Sequence, residues 1–297
     1  MLRELRLGPV SRGQFQYDVA GDGSLVYMNV ATGRWGGTLG WVGADGAMEE
    51  IVTIDDDLGP RHPRMSPDGR RVVLNKGPGQ GLALYDLDRS SLAPLTAQDE
   101  GNYPSWSRDG QVVTFASDRS GTFALYQIAA DGSGATSTVT QGERAAFSSD
   151  WAPDGSVLVF YDISISTGRD IRLWYPDGTT STFLATEFGE WSPRVSPDGR
   201  WMAYISDRSG EDRVYLQPFP EGGPVVDVST DYGHEAVWSP DGSQLFFRDA
   251  TSMMFVDVTT DPDRPVGRPQ VLFQDSYLRD PSMSGMQTTM WPQTGAS

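Results

Sequence analysis

Ser66-Pro67-Asp68-Gly69-Arg70-Arg71-Val72-Val73-Leu74-Asn75 reads as a tight turn that feeds a short strand. Pro presets φ at the second turn position, Asp bonds nearby amides, and Gly supplies a positive φ. The run after it carries the β-branched residues that suit a pleated, half-buried surface. The turn recurs as Gly21-Asp22-Gly23, Ser107-Arg108-Asp109-Gly110, Ala152-Pro153-Asp154-Gly155, Ser196-Pro197-Asp198-Gly199 and Ser239-Pro240-Asp241-Gly242. From each Asp to the next the steps are 46, 41, 45, 44 and 43 residues. A period of that length made of short strands is the pattern of a propeller blade array.

Working outward from Ser66, Pro63 to Ser66 is the first strand of a blade, Arg71 to Asn75 the second, Leu82 to Leu87 the third and Leu92 to Thr96 the fourth. The same scheme fits the other copies, so the expected fold is all-β: a six-bladed β-propeller of four-stranded antiparallel blades. The blades run from about Gln16 to Phe273, within a single domain at 1–275. The pattern then stops. A seventh turn would fall near Gly285, where Ser282-Met283-Ser284-Gly285-Met286 has no Asp-Gly and no apolar strand after it. Residues 276–297 are read as a tail, disordered or adding one closing strand. A seven-bladed ring with an incomplete last blade is the alternative.

Composition narrows the partners. The net charge is −17, the wrong sign for gripping a nucleic-acid backbone, so none is expected. No apolar run approaches the roughly 20 residues of a membrane helix, and no membrane insertion is expected. Met1 to Gly13 is polar and has no apolar core of a signal peptide, which makes the cytoplasm the default expectation. The opening runs straight into a blade, as a piece of a longer protein would. There is no cysteine, which removes disulfides, thiolate metal sites and a thiol nucleophile. Of 23 basic residues only Lys76 is lysine, a bias read as codon usage or surface adaptation.

Counting back from each turn Asp places the inner strands. Three residues before it stand Val19, Met65, Trp106, Trp151, Val195 and Trp238, all apolar and expected between blades. One step earlier, Asp18, Arg64, Ser105, Asp150, Arg194 and Val237 are expected to face the tunnel by alternation. Asp18 precedes Arg64 and Asp150 precedes Arg194 in neighbouring blades, which reads as two inter-blade ion pairs; an anion held by the arginines is the sharper reading. Two residues further out lies the rim: Gln16, His62, Tyr103, Ser148, Ser192 and Glu235, with Asn102, Trp191 and His234 just before. Both histidines of the chain fall on this rim. His62, Asn102, Tyr103, Trp191, His234 and Glu235 are therefore the candidate ligand-binding residues at the tunnel mouth. Asp18, Arg64, Ser105, Asp150 and Arg194 are the candidate tunnel lining.

The turn aspartates are read as caps of their own backbone, not as ligands. Asp55-Asp56-Asp57 lacks the downstream Glu of a calcium loop and reads as a solvated connection. The matching stretches Ser117-Asp118-Arg119-Ser120-Gly121 and Ser206-Asp207-Arg208-Ser209-Gly210 read as hairpin loops on the histidine face. No nucleophile elbow, phosphate loop, kinase motif or His-Glu-x-x-His is present. No metal site and no cofactor are expected, a structural calcium ion in the tunnel being the one exception allowed.

Ser117 to Gly121 followed by Leu125-Tyr126-Gln127-Ile128-Ala129-Ala130-Asp131-Gly132-Ser133-Gly134 resembles the TolB-like propeller repeat. Trp201-Met202-Ala203-Tyr204-Ile205-Ser206-Asp207, Val214-Tyr215-Leu216-Gln217-Pro218-Phe219-Pro220 and Gly267-Arg268-Pro269-Gln270-Val271-Leu272-Phe273 resemble the propeller regions attached to bacterial serine/threonine protein kinases. The resemblance implies a non-catalytic binding or sensor module, fused to or acting with a kinase domain. Its partner would be a peptide, protein or small ligand on the ring face. Related propellers also precede peptidase domains, and some lyases use the bare ring with His ligands. A hydrolase or lyase site on the His-bearing face is thus the alternative function. The departure from the family is at Met286-Gln287-Thr288-Thr289-Met290-Trp291, where another Ser-Pro-Asp-Gly strand is usual.

Overall fold

The computed structural model describes residues 17–30, 36–43, 46–55, 61–76, 80–97, 101–141, 144–259 and 265–274. Gln16, Asp56, Asp57 and residues 276–297, with the expectations that rest on them, lie outside that set.

The described residues form six four-stranded antiparallel sheets and no helix. Blade one holds β1 (Tyr17–Val19), β2 (Leu25–Val30), β3 (Gly36–Val42) and β4 (Met48–Asp55). Blade two holds β5 (Arg61–Met65), β6 (Arg71–Asn75), β7 (Leu82–Asp86) and β8 (Ser91–Pro94). Blade three holds β9 (Asn102–Trp106), β10 (Val112–Ser117), β11 (Ala124–Ala129) and β12 (Ser137–Thr138). Blade four holds β13 (Ala146–Trp151), β14 (Leu158–Ser164), β15 (Gly168–Trp174) and β16 (Thr180–Leu184). Blade five holds β17 (Glu190–Val195), β18 (Trp201–Ser206), β19 (Arg213–Pro218) and β20 (Val226–Asp227). Blade six holds β21 (His234–Trp238), β22 (Gln244–Arg248), β23 (Ser252–Asp257) and β24 (Gln270–Gln274). The fold is the expected six-bladed propeller, and each sheet takes its four strands from one continuous stretch of sequence.

The repeated turns close β1–β2, β5–β6 and their counterparts, and their aspartates cap the backbone. Asp68 Oδ1 accepts from Ser66 Oγ at 2.5 Å and from the Arg70 amide at 3.0 Å. Asp109 and Asp241 do the same with Ser107 and Gln111, and with Ser239 and Ser243. These bonds favour the carboxylate, and the Ser239 and Ser243 donors hold Asp241 down to about 2.

Six apolar clusters fill the six seams between blades. Met65 joins Val26, Met28 and Leu39 between blades one and two. Trp106 joins Val73 and Leu82 between two and three. Trp151 packs beside Ala116, Leu125 and Leu158 between three and four. Val195 and Trp238 do likewise at the next two seams. Tyr17 and Leu25 meet Val237, Phe246 and Met253 between one and six, which closes the ring. Val237 was expected to face the tunnel; it belongs to this seam. The three tryptophans also bond across seams, Trp106 Nε1 to the Arg64 carbonyl at 2.9 Å, Trp238 Nε1 to the Arg194 carbonyl at 3.1 Å and Trp151 Nε1 to Thr114 Oγ1 at 3.3 Å.

The inner strands depart from simple alternation. In blades two to six the register between the first and second strands slips by one residue, between Arg61 and Arg64, Asn102 and Ser105, Ser148 and Asp150, Trp191 and Arg194, and His234 and Val237. Each slip is a β-bulge, which leaves one residue unpaired and bends the strand. At four of them a non-glycine residue takes the left-handed region: His62 (φ 55°), Tyr103 (φ 50°), Ser192 (φ 53°) and Glu235 (φ 57°).

Candidate functional site: the mouth of the ring

The bulges carry most of the expected rim. His62, Tyr103, Ser192 and Glu235 occupy the strained position itself. The rings of His62 and Tyr103, with those of neighbouring residues, form a chain of contacts along the mouth. His62 packs on Tyr103 with centroids 4.5 Å apart, and Tyr103 meets Phe147 edge-on at 5.2 Å. Phe147 stacks on Tyr161 at 5.1 Å. Tyr161 shares a cluster with Trp191, and Trp191 lies 6.2 Å from His234. Tyr232 stacks on His234 at 5.7 Å, and the Arg169 guanidinium sits 4.9 Å over the Trp191 ring. Such pairs contribute about 0.5–1.5 kcal/mol each beyond their buried area.

The two histidines stand in separate parts of this chain. His62 is buried in blade two against Tyr103. Burial pushes its imidazole well below the usual histidine range, helped by Arg64 and Arg61. His234, in blade six, lies 3.5 Å from the Asp212 carboxylate. Asn102 Oδ1 accepts from Asn75 Nδ2 at 3.2 Å, across the seam to blade two. Glu235 lies 3.6 Å from Arg248, and its main-chain carbonyl accepts from the Tyr17 hydroxyl, which ties blade six to blade one.

Below the rim, the expected tunnel residues take up a different bonding pattern from plain ion pairs. Asp18 accepts from the Val19 amide at 3.0 Å and from the Met65 amide at 2.9 Å. Asp150 repeats this with Trp151 at 2.9 Å and Val195 at 3.0 Å. Each aspartate thus clamps its own strand to the inner strand of the next blade. Arg64 Nη1 donates to the Pro63 carbonyl at 2.9 Å, and Arg194 Nη1 to the Ser149 carbonyl at 3.1 Å. Burial and the opposing Arg194 lower Arg64 to about 9, while Asp18, Asp150 and Glu235 pull it back up. Burial raises the Asp150 carboxyl against the pull of Arg194. Ser105 Oγ lies 2.6 Å from Ser148 Oγ, so a residue expected in the tunnel and one expected on the rim bond to each other across a seam. The bulge at Ser149 brings them to the same level.

Several polar atoms at the mouth are buried without a hydrogen-bond partner: His62 Nδ1, Ser192 Oγ and Trp191 Nε1. An unsatisfied buried group costs about 1–3 kcal/mol, so each of these atoms calls for a bound water or a ligand as its partner. Counting from the turns missed Arg248, Tyr17, Asp212, Arg169 and Phe147. Arg248 had a legible signal. It stands seven residues after its turn Asp, near where the second strands of blades two to five place the buried polar residues Asn75, Ser117, Asp162 and Ser206. Among the described residues no three His, Asp or Glu side chains gather in a group that could hold a metal.

Residues 58–190 match the PD40 family, TolB beta propeller domain. The uncharacterized protein Atu1656 of Agrobacterium fabrum is 27% identical over 202 residues, 62% of this chain and 67% of that protein. The Tol-Pal system protein TolB of Francisella tularensis is 28% identical over 224 residues, 71% of this chain. The aligned part is 51% of that TolB, so the chain spans about half its length. The solved structure of a putative TolB from Agrobacterium tumefaciens superposes with a TM-score of 0.63 at 21% identity, covering 77% of this chain and 84% of that one. Solved propellers of similar shape also include an oligogalacturonate lyase and prolyl endopeptidases. At such identities the likeness shows the fold alone.

Proposed function

We propose that this chain is a non-catalytic binding module that takes a peptide or protein segment at the ring mouth bearing His62, Tyr103, Trp191, His234 and Glu235. One observation carries the reading. Four inner strands hold a non-glycine residue in left-handed backbone at the same bulge, and buried polar atoms beside it serve no bond of the fold. Stored strain and unused polarity at one face are what recognition sites keep. The likeness to TolB propellers supports the same class of function. Binding is favoured over hydrolase or lyase chemistry because the two histidines stand in separate ring contacts, His62 against Tyr103 and His234 between Trp191 and Tyr232.

Attachment to a serine/threonine kinase domain, with a sensor role, belongs to this proposal on the strength of the sequence resemblance. The coding sequence around this chain tests it. Residence in the cytoplasm is the accompanying proposal, and cell fractionation tests that.

The site is tested with a peptide selected from a displayed random library against the full chain. His62→Ala, Tyr103→Ala, His234→Ala and Glu235→Ala each weaken its binding, with about tenfold losses at the central residues. Binding that ignores all four removes the site. Turnover of an ester, peptide or glycoside above that of the His62→Ala/His234→Ala double variant would replace binding with catalysis.

A further inference from the structure

Large exposed apolar side chains are few among the described residues, and their placement is uneven. Leu92, Val225 and Val271 are scattered on or beside the outer strands of three blades. Ile163, Ile165, Phe188 and Tyr232 all stand on the histidine face, in blades four to six. Ile165 is fully exposed at the tip of the β14–β15 hairpin, whose strands are seven residues each. In blades three and five the same loop is the polar Ser-Asp-Arg-Ser-Gly; blade four replaces it with Ile163-Ser164-Ile165-Ser166-Thr167-Gly168.

The loops that carry these side chains are joined to one another, the first two directly and the third through the buried rings of His234 and Trp191. A Cβ built on Gly168 would stand 4.0 Å from the Gly189 Cα, so the blade-four hairpin rests against the loop that carries Phe188. The Gly189 amide donates to Asp207 at 2.9 Å, which fixes that loop to blade five. Tyr232 is joined through His234 to Trp191. An exposed apolar arc of this kind on a soluble face marks an interaction surface.

The charge beside the arc selects its occupant. Glu187, Glu211 and Asp231 are exposed in the loops of the same blades. Three nearby cations have partners within the chain: Arg144 sits on Asp162 and Asp170, Arg169 on Trp191, and Arg208 on Tyr215; Arg213, at the start of β19, is half-buried. The whole chain is at −17. We propose that the arc from Ile163 and Ile165 through Phe188 to Tyr232 docks a basic, apolar peptide segment of a partner protein, with aliphatic or aromatic side chains on the arc and Lys or Arg against the acids. This deepens the binding reading above and rests on it: the rim takes part of the segment, and the arc sets which sequences are accepted.

The test pans a phage-displayed random dodecapeptide library on the full chain and titrates an enriched peptide by calorimetry. Enriched sequences are expected to carry Lys or Arg within a few positions of Leu, Ile, Phe or Trp. Ile165→Ser and Phe188→Ser each change an exposed side chain, so melting temperature stays at the wild-type value while Kd rises about tenfold. Glu187→Gln/Glu211→Gln/Asp231→Asn weakens binding at low salt and flattens its salt dependence. Acidic or neutral enriched sequences, no enrichment, or binding unchanged in the Ile165 and Phe188 variants overturn the proposal. A dimer in light scattering that Ile165→Ser abolishes overturns it in favour of a second copy. Binding to phosphatidylcholine/phosphatidylglycerol vesicles that Ile165→Ser abolishes overturns it in favour of a lipid surface. Loss with His62→Ala but not with Ile165→Ser leaves the rim reading standing and sinks this one. The reverse pattern sustains the arc and sinks the rim.

Discussion

Trp106 in blade three donates its indole proton to the Arg64 carbonyl in blade two at 2.9 Å, and so joins an inner strand to the one before it. The same ring fills the apolar seam between those blades. Trp106→Phe keeps most of the packing and leaves the buried Arg64 carbonyl without this donor, a cost of about 1–3 kcal/mol. Trp106→Ala adds a cavity and costs about 3–5 kcal/mol. Urea titrations of the two variants should separate the terms. A loss near zero in Trp106→Phe beside a large one in Trp106→Ala would mean that the bond contributes nothing.

Gly101 is held at φ 105°, and a Cβ there would lie 2.6 Å from Leu82 Cγ. Its carbonyl also accepts from Asn75 Nδ2 at 2.5 Å. Gly101→Ala must therefore move either the seam or the backbone, and is expected to cost more than the ~1 kcal/mol of an ordinary conformational penalty. Gly121→Ala shares a positive φ but meets nothing within 4 Å. The difference between the two melting temperatures reads the steric part alone.

Histidine 62 gives stability a pH dependence. Burial, then Arg64 and Arg61, hold its folded pKa well below the ordinary histidine value of about 6.5. Below about pH 6.5 the unfolded chain takes up a proton that the folded chain refuses. The neutral ring thus contributes stability above pH 6.5 that is lost as pH falls toward the folded pKa, at up to ~1.4 kcal/mol per pH unit. Burial raises Asp150 and Glu190 and works in the opposite direction at lower pH. The clean measurement is the wild type minus His62→Gln between about pH 7.5 and 5.5. A constant difference across that window would refute the assignment.

Asp18 and Asp150 each spend both carboxylate oxygens on amides, one in their own strand and one in the next blade. Asp150→Asn and Asp18→Asn exchange one acceptor for a donor that faces an amide, which should cost about 1–3 kcal/mol each. Oxygens used in this way do not call for a calcium ion. Melting temperature is therefore expected to be the same in EDTA and in millimolar calcium; a calcium-dependent rise would place an ion beside these residues.

The blade count, the strands and the apolar seam residues were legible from the turn spacing, because a repeated turn fixes each strand relative to itself. Met65, Trp106, Trp151, Val195 and Trp238 lie in the seams where that count put them. The face of each residue beyond the bulge was not legible. Alternation assumes an unbroken ladder, and one unpaired residue turns every side chain past it. Hence Ser105 meets Ser148, and Asn102 is drawn to Asn75. Arg248 and Tyr17 were missed for a different reason. They join the site from a second strand and from across the closing seam, whereas the count back from each turn followed the first strands alone.

The inner-strand bulges have a consequence for how such a ring diversifies. A residue that stands outside the ladder can be exchanged without shifting any strand past its neighbour. Blades two, three, five and six use that freedom to hold His62, Tyr103, Ser192 and Glu235, four unlike chemistries in one geometric socket. The ring is in effect a set of interchangeable sockets on a fixed wheel. Rewriting what the mouth recognises is then a matter of single replacements at those positions, with the frame left in register.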